Sequence, residues 1–260
     1  MFMHHFAFKR TLASAALAMT SINCSAAEPG QSKWATMEDA KMSVSFRIQA
    51  PDGNAVDGSS KVVFTNKYAV SALRDPDARY GQDWDSFVLF DLEKMAWYDV
   101  GHRQWVDLKS CRDWEKASID RTKADLSKSP DAKARAFVEA MIDPRLELQK
   151  REDGVIVIFN SHVSYSIVPA ENVTPNQLDR FVAYDRLNAY HKAINERQLP
   201  PTIQIAVDSF FAEQRIFPKQ LTVRIKTAKG DVIATTDTRM DTFDPSDAEL
   251  IQRELAKSQQ

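Results

Sequence analysis

Short connections between strand-like segments are the feature of this sequence that most constrains its fold. Phe87–Asp91, Ala96–Val100 and Gln104–Leu108 have strand character, and connections of only four and three residues, 92–95 and 101–103, separate them. Connections of this length join antiparallel neighbours, because a parallel neighbour needs a much longer crossover. These residues therefore predict an antiparallel meander.

Alternation of apolar and polar residues predicts further strands on both sides of this meander. Over Met42–Ile48, for example, every second residue is apolar. The other segments with strand character are 61–65, 68–73, 145–150, 155–159, 163–168 and a terminal hairpin over 221–240 that turns at 229–231. Val155–Phe159 is apolar at every position, so we expect this strand in the middle of the sheet with other elements packed on each side.

Helical periodicity and capping signals predict several helices. Their ranges are 110–126, 129–142, 174–197, 202–214 and 244–257. Three of them begin with a capping residue followed by proline, at Ser129-Pro130, Thr174-Pro175 and Asp244-Pro245, where the missing proline N–H costs nothing. Over 202–214 a strand is an alternative, because the apolar residues there also alternate.

The order of these elements is a strand meander, helices, three strands, helices and a terminal hairpin. Strands joined by short turns favour an antiparallel sheet over a parallel, doubly wound one. No linker rich in Pro, Gly or Ser and no internal repeat interrupts the chain after residue 27. The predicted fold class is α+β, with an antiparallel sheet packed against several α-helices in a single domain over residues 28–260.

The first residues have the three parts of a secretory signal peptide. Lys9 and Arg10 precede an uncharged apolar stretch over Leu12–Ile22, which is shorter than the ~20 apolar residues that span a bilayer. Ser25 and Ala27 supply the small residues for cleavage after Ala27. We therefore predict a signal peptide over residues 1–27 and a periplasmic or secreted protein.

Cys24 supports an alternative interpretation, in which the leader ends at a lipidation site. Ile22 and Asn23 argue against it, because small residues usually precede a lipidated cysteine. Removal of 27 of the 260 residues leaves 233, with Cys111 as the lone cysteine. The processed chain is therefore expected to fold without an intramolecular disulfide and without a transmembrane segment.

Charge and glycine content argue against several classes of function. The leader removes two of 34 basic residues and none of 36 acidic ones, so the processed chain has a net charge of about −4 and does not attract nucleic acid. The chain has 7 glycines, where average usage would give ~18. Gly-x-Ser-x-Gly, His-Glu-x-x-His, Walker and Cys-x-x-Cys motifs are absent. We therefore predict no cofactor and favour a non-catalytic protein.

Three histidines remain after residue 27, namely His102, His162 and His191. The residues four positions on either side of His191 are not metal ligands, so packing or surface roles are favoured over a zinc site. Cys111 lies nine residues after His102, which leaves a thiol–imidazole pair as an alternative to a half-buried spare thiol. Ser161 and His162 are adjacent on a strand edge and point to opposite faces, so they form no dyad.

Two loops are rich in aspartate. The first contains Asp75, Asp77, Asp83 and Asp85, and the second contains Asp237, Asp241, Asp244 and Asp247. Calcium binding is one interpretation, because hard cations collect carboxylates on loops. Solvated loops and a helix N-cap are the favoured interpretation, because Arg79 and Gly81 do not fit the pattern of an EF-hand.

Aromatic residues concentrate in the predicted meander. They are Phe87, Phe90, Trp97, Tyr98 and Trp105. Neighbouring strands would bring such side chains into cross-strand pairs. Core packing is the simplest explanation of this cluster, and a concave apolar site for a lipid or acyl group is the alternative.

The meander and the terminal hairpin resemble a known family. Phe87–Val100 followed by Trp105–Leu108, and Phe217–Ile225 followed by Gly230–Ile233, are similar to the central and closing strands of periplasmic lipoprotein carriers of the LolA/LppX-like half-barrel superfamily. The resemblance implies a curved, half-barrel-like sheet whose open face is filled by helices. It also implies an apolar pocket with a lipid or lipoprotein as partner.

These observations lead to a first hypothesis, an exported, non-catalytic binding or carrier protein with an apolar pocket for a lipid or acyl-type ligand. The pocket candidates are Phe87, Leu89, Trp97, Trp105, Ile156 and Ile158. Two alternatives stay open: an extracytoplasmic hydrolase whose site assembles from dispersed His and Asp/Glu residues, and an interaction module of the cell envelope. The sequence does not determine an oligomeric state.

Overall fold

The structure is a computed structural model that describes residues 39–74, 86–171, 173–195 and 199–259. The predicted signal peptide lies outside the described residues. The first aspartate-rich loop and the predicted end of the helix at residue 197 also lie outside them.

Eleven strands of the described residues form one continuous sheet. They are β1 Ala40–Gln49, β2 Ala55–Phe64, β3 Tyr68–Arg74, β4 Ser86–Asp91, β5 Ala96–Asp99, β6 Gln104–Asp107, β7 Glu147–Lys150, β8 Ile156–Phe159, β9 Val163–Pro169, β10 Pro218–Thr227 and β11 Gly230–Asp241. Every neighbouring pair is antiparallel. The sheet is curved and helices pack on it, which confirms the predicted α+β class.

The sheet consists of two meanders joined at its centre. Its strand order is β6-β5-β4-β3-β2-β1-β11-β10-β9-β8-β7, so β1 pairs with the last strand, β11. Val44 of β1 lies opposite Thr238 of β11 in that central pair. The prediction that Val155–Phe159 lies in mid-sheet is wrong, because β8 is next to the edge strand β7. A strand that is apolar at every position is expected to be buried on both faces. Burial of the faces does not determine how many strands lie on either side of it in the sheet.

Five helices lie within the described ranges. They are α1 Leu108–Leu126, α2 Ala132–Ile142, α3 Pro175–Asn195, α4 Thr202–Gln214 and α5 Pro245–Lys257. Residues 202–214 are therefore helical, and the strand alternative for them is wrong. Thr174 Oγ1 accepts from the Gln177 N–H, while Gln177 Oε1 accepts from the Thr174 N–H, which confirms the predicted start of α3.

The other two predicted proline starts have different outcomes. Asp244 and Asp247 form a reciprocal capping box at the start of α5, as predicted. Ser129-Pro130 does not start α2, so that prediction is wrong. Asp131 caps this helix instead, because its carboxylate accepts from the N–H groups of Lys133 and Ala134.

Apolar side chains lie on both faces of the sheet. On one face, here called the inner face, Val62 and Phe64 belong to the main core, which includes residues of α3 and α4. Val63 lies between them in sequence and points to the opposite, outer face, where it packs in a smaller cluster with residues of α5. The sheet therefore separates two hydrophobic clusters.

Helix α3 is buried around most of its circumference. Its buried residues are Leu178, Arg180, Phe181, Val182, Ala183, Tyr184, Asp185, Leu187, Asn188, Ala189, Tyr190 and Ala193. A helix on a protein surface normally buries one stripe. Here the curved sheet, α4 and other elements surround α3, so polar residues such as Asp185 are enclosed together with the apolar ones.

Candidate functional site

A cleft of about 1040 Å³ opens at the β7 end of the sheet. Its lining comes from the end of α1, from α2, from the start of β7, from the turn between β8 and β9, and from β10. The lining residues are Lys123, Leu126, Ser127, Arg135, Ala136, Glu139, Ala140, Ile142, Asp143, Arg145, Glu147, Phe159, Asn160, Ser161, His162 and Lys226. The volume is of the order of known small-molecule sites, which run to ~1,000 Å³.

Cationic side chains from separate elements line this cleft. Lys123 of α1, Arg145 before β7 and Lys226 of β10 are exposed, and the described residues provide no ion-pair partner for any of them. Arg135 of α2 also lines the cleft, and its guanidinium donates to the backbone carbonyl of Ser129, which precedes α2. Three carboxylates, two on or beside α2 and one on β7, also line the cleft. The lining is therefore more basic than the chain as a whole, which has a net charge of −2.

Apolar groups line the cleft beside these charges. They are Leu126, Ala136, Ala140, Ile142 and Phe159. Ile142 is buried, whereas Phe159 is half-buried and keeps part of its ring accessible. An apolar wall beside cations that have no ion-pair partner in the described part of the chain is the arrangement that suits an amphipathic anion.

Asn160 fixes the turn between β8 and β9 that forms one wall. Its Oδ1 accepts from the N–H groups of His162 at 2.9 Å and Val163 at 2.8 Å, and its Nδ2 donates to the Ala140 carbonyl of α2 at 3.2 Å. The Lys226 N–H donates to the His162 carbonyl at 2.8 Å. This wall is thus hydrogen-bonded both to α2 and to β10. A wall that is already ordered reduces the conformational entropy that the protein loses when a ligand binds.

The three histidines have three different surroundings. His162 lies in the cleft with its ring edge-on to Phe137 at 5.7 Å, and no described carboxylate hydrogen-bonds to it. His102 Nδ1 lies 2.6 Å from Asp99 Oδ2, but on the β5–β6 turn, where the imidazole is 77% exposed. His191 packs edge-on against Trp97 at 4.7 Å, and burial lowers its pKa to about 4.

These surroundings bear on the hydrolase alternative, which needs a histidine and a carboxylate within hydrogen-bond reach in one cleft. Among the described residues, the cleft histidine His162 lacks such a carboxylate, and the paired histidine His102 is outside the cleft. His191 is neutral at ordinary pH, is half-buried against the core rings of Phe90 and Trp97, and does not line the cleft. No described observation favours the hydrolase.

Cys111 lies in the first turn of α1 and is fully buried. Burial raises the pKa of its thiol to about 11, although a contact with the Trp97 indole acts in the opposite direction. The thiol is therefore protonated at neutral pH and is a poor nucleophile. Since the hydrogen bonds of His102 go to Asp99, the structure favours the spare-thiol interpretation over a thiol–imidazole pair.

The six predicted pocket residues do not share one cavity wall. Trp97, Ile156 and Ile158 lie in the main core on the inner face. Phe87 and Leu89 lie in the cluster on the outer face. Trp105 also belongs to the outer side, because it is paired with Tyr98 of the outer cluster, and it is 39% exposed.

The pairing of β4 with β5 explains this separation. Phe90 lies opposite Trp97, so these two side chains share the inner face. Phe87 and Leu89 are an odd number of positions from Phe90 and therefore point the other way. The presence of aromatic residues does not by itself show which face of the sheet each side chain occupies. A shift of one position along a strand places every side chain on the opposite face.

The second aspartate-rich loop is organised by ion pairs and caps. Asp241 accepts from Ser43 at 2.5 Å and pairs with Arg239 at 2.6 Å. Asp244 and Asp247 pair with Lys41 at 2.7 and 2.9 Å. Within the described ranges, no group of three or more His, Cys, Asp or Glu residues could hold a metal ion. These contacts favour the helix-cap interpretation of this loop.

Comparisons with known proteins add a likeness among the solved structures. The chain matches no protein-family model, and it matches no curated protein. The crystal structure of a LolA superfamily protein from Nitrosomonas europaea aligns over 91% of this chain and 93% of that chain, with 9% sequence identity and a TM-score of 0.33. The assignment of the fold class rests on the strand pairing of this chain itself.

A helix that crosses a bilayer needs about 20 predominantly apolar residues. In the part of the chain that the structure describes, no helix combines the length and the apolar character needed to cross a membrane.

Proposed function

We propose that this protein is an exported, non-catalytic carrier that binds a lipid or acyl-type ligand with an anionic head group in the cleft. The observation that supports the proposal best is the cleft lining. There Lys123, Arg145 and Lys226 lie beside an apolar wall, and none of the described residues forms an ion pair with them. The cations would hold a carboxylate or phosphate, and Phe159 and Ile142 would cover part of an acyl chain.

This proposal places the ligand in a different part of the molecule from the six residues predicted for the pocket. Trp97, Ile156 and Ile158 are packed against other core side chains, and a ligand there would have to replace those contacts. The cleft needs no such replacement, because it is open to solvent in the structure.

A titration with a fluorescent long-chain fatty acid tests the proposal. We expect saturable binding, and about tenfold weaker binding in Arg145→Gln and in Lys226→Gln, because each loses a charge-assisted contact worth about 1.5 kcal/mol. Lys219→Gln is the matched control, since Lys219 is also exposed on β10 and does not line the cleft. Wild-type protein that does not bind the probe would contradict the proposal.

A second pair of variants tests the apolar wall. Ala136→Glu would place a carboxylate on the α2 side of the cleft, and we expect it to abolish binding of the fatty acid. Ala134 is exposed on the same helix but does not line the cleft, so Ala134→Glu is expected to bind normally. Equal binding of the fatty acid by both variants would contradict the proposed binding site in the cleft.

Export is the part of the proposal that comes from the leader sequence. Expression in a bacterium followed by intact-mass analysis of the periplasmic fraction is expected to give a chain that starts at Glu28. A lipid-modified chain that starts at Cys24 would support the lipidation alternative, and an unprocessed chain in the cytoplasm would contradict both.

A further inference from the structure

Two carboxyl groups meet in the interior where α3 packs on α4. Asp185 of α3 and Asp208 of α4 are both 0% exposed. Gln204 lies one turn before Asp208, and its Nε2 donates to Asp208 Oδ1 at 3.2 Å and to Asp185 Oδ2 at 3.5 Å. One side-chain amide therefore bridges the acidic groups of both helices.

The surroundings of this pair contain charges of both signs. Lys192 and Arg186 of α3 favour the ionised forms of Asp185 and Asp208 respectively, and Asn188 hydrogen-bonds to Asp185. Burial and the mutual repulsion of the two carboxylates act in the opposite direction. Burial is the larger effect, so the pKa of each carboxyl lies well above its ordinary value of 3.8.

Two tyrosines are close enough to feel the charges of the pair, although the Tyr184 hydroxyl itself donates to Ser71 Oγ of β3 at 3.1 Å. Tyr165 of β9 and Tyr184 of α3 are fully buried, and the charges of Asp208 and Asp185 respectively help to raise their pKa values. These phenols therefore remain protonated at ordinary pH. They supply no charge that could neutralise the second carboxylate.

We propose that Asp185 and Asp208 form a protonation-dependent latch, which holds α4 against α3 while the pair keeps a proton and loosens α4 when both carboxyls are charged. Two carboxylates bridged by one amide in a buried site repel each other strongly when both are ionised. A displacement of α4 is the direct way for them to separate and to reach water.

Loosening of α4 would change the interior of the protein. Val207 and Phe211 of α4 are buried in the main core, so they would lose contacts with the sheet. Helix α4 also contacts α2, which forms one side of the cleft. The latch is a property of the fold itself and does not rest on the proposed function.

The direction of the pH dependence follows from the raised pKa values. Folded protein with a raised carboxyl pKa holds more protons than unfolded protein at the same pH, so stability falls as pH rises from the ordinary value of 3.8 towards the raised one. Acidic conditions therefore tighten the latch, and rising pH weakens it.

Hydrogen exchange of the full chain, without ligand, tests the latch. We expect the protection of α4 amides, corrected for intrinsic exchange, to fall at least tenfold between about pH 5 and about pH 9. The protection of α5 is the internal reference, since α5 packs on the outer face. Wild-type α4 protection that does not change with pH relative to α5 would overturn the proposal.

Neutral variants separate a latch from a structural requirement. In Asp185→Asn and Asp208→Asn we expect α4 protection to fall less steeply with pH than in wild type, because the repulsion between two carboxylates is gone and one buried carboxyl remains. At about pH 9 the protection of α4 in these variants is expected to equal or exceed that of wild type. Asp120→Asn, at an exposed position of α1, is expected to behave like wild type. Loss of α4 protection at every pH in the two buried variants, or an unchanged pH dependence, would refute the latch.

Discussion

The ring of Phe46 on β1 covers Gly58 on β2, its directly paired neighbour, and fills the space that a β-carbon at residue 58 would occupy. Phe46 is buried and belongs to the main core. The glycine therefore makes room for the far end of an aromatic ring over the neighbouring strand, which stabilises a site that would otherwise lack a side chain.

Gly58→Ala is expected to destabilise the protein. The added methyl group would push the Phe46 ring aside, and overpacking of this kind costs about 1–3 kcal/mol in the free energy of unfolding. Urea denaturation followed by circular dichroism measures the change.

The neighbouring residue supplies the control for this substitution. Ser59 points to the opposite face, so Ser59→Ala is expected to change stability by less than about 0.5 kcal/mol. The double variant Gly58→Ala, Phe46→Ala should be less destabilised than the sum of the single variants, because the clash needs both side chains. Strict additivity would contradict the contact.

Asp247→Asn is expected to loosen α5 from the outer face. Asp247 is fully buried and pairs with both Lys41 and Lys61, and it also caps the helix. Removal of its charge leaves two half-buried ammonium groups with fewer partners, at a cost of about 3 kcal/mol in the free energy of unfolding.

An exposed ion pair provides the comparison for this variant. Asp57→Asn removes the partner of Arg47, where both side chains are more than 60% exposed. We expect it to cost less than about 1 kcal/mol by the same denaturation measurement. Equal losses in the two variants would show that burial does not matter here.

Acid is expected to weaken the protein through carboxylates at the start of α5. Hydrogen bonds from Lys41 and Ser246 hold the pKa of Asp244 well below its ordinary value, and a hydrogen bond from Ser43 lowers that of Asp241. A lowered pKa stabilises the folded state above the ordinary value of 3.8, and this contribution is lost as pH falls further.

Thermal unfolding at a series of acidic pH values measures this loss. Asp244→Asn should give a shallower decline of Tm with falling pH than wild type, because one of the stabilising carboxylates is absent. Asp120→Asn, an exposed position on α1, should leave the slope unchanged. If Tm falls with pH as steeply in Asp244→Asn as in wild type, Asp244 does not contribute to the loss of stability in acid.

Cys111 is expected to be inert in the folded protein. Its thiol is fully buried, and burial raises its pKa to about 11. Ellman's reagent at about pH 8 should therefore label it only after denaturant is added, because reaction needs an accessible thiolate. Rapid labelling of native protein would show that the start of α1 opens readily.

Part of the fold could be predicted from local patterns. Alternation over Met42–Ile48 and the short turns of the central meander predict strands and antiparallel pairing. The first half of β2, Ala55–Ser60, was not predicted, because its polar residues lack alternation and it exists through pairing with β1. Ser129-Pro130 resembled a helix start, but Asp131 offered a better acceptor for the first N–H groups.

The candidate site could not be predicted in the same way. The cleft joins residues as far apart in the chain as Lys123 and Lys226, and no spacing marks them as neighbours. The pocket candidates failed to meet for a related reason, since Leu89 and Trp97 lie on opposite faces of the sheet. The buried pair of Asp185 and Asp208 carries no sequence signal at all, because aspartate on a helix is usually exposed.

The sequence by itself determined where most strands and helices lie and that neighbouring strands run antiparallel, because alternation, turn length and capping act within a few residues. Only the tertiary structure decided that β1 pairs with β11, which side chains face the helices, and which charges share the cleft. Those features depend on contacts between residues distant in the chain, where the packing of the whole sheet selects one register and one face.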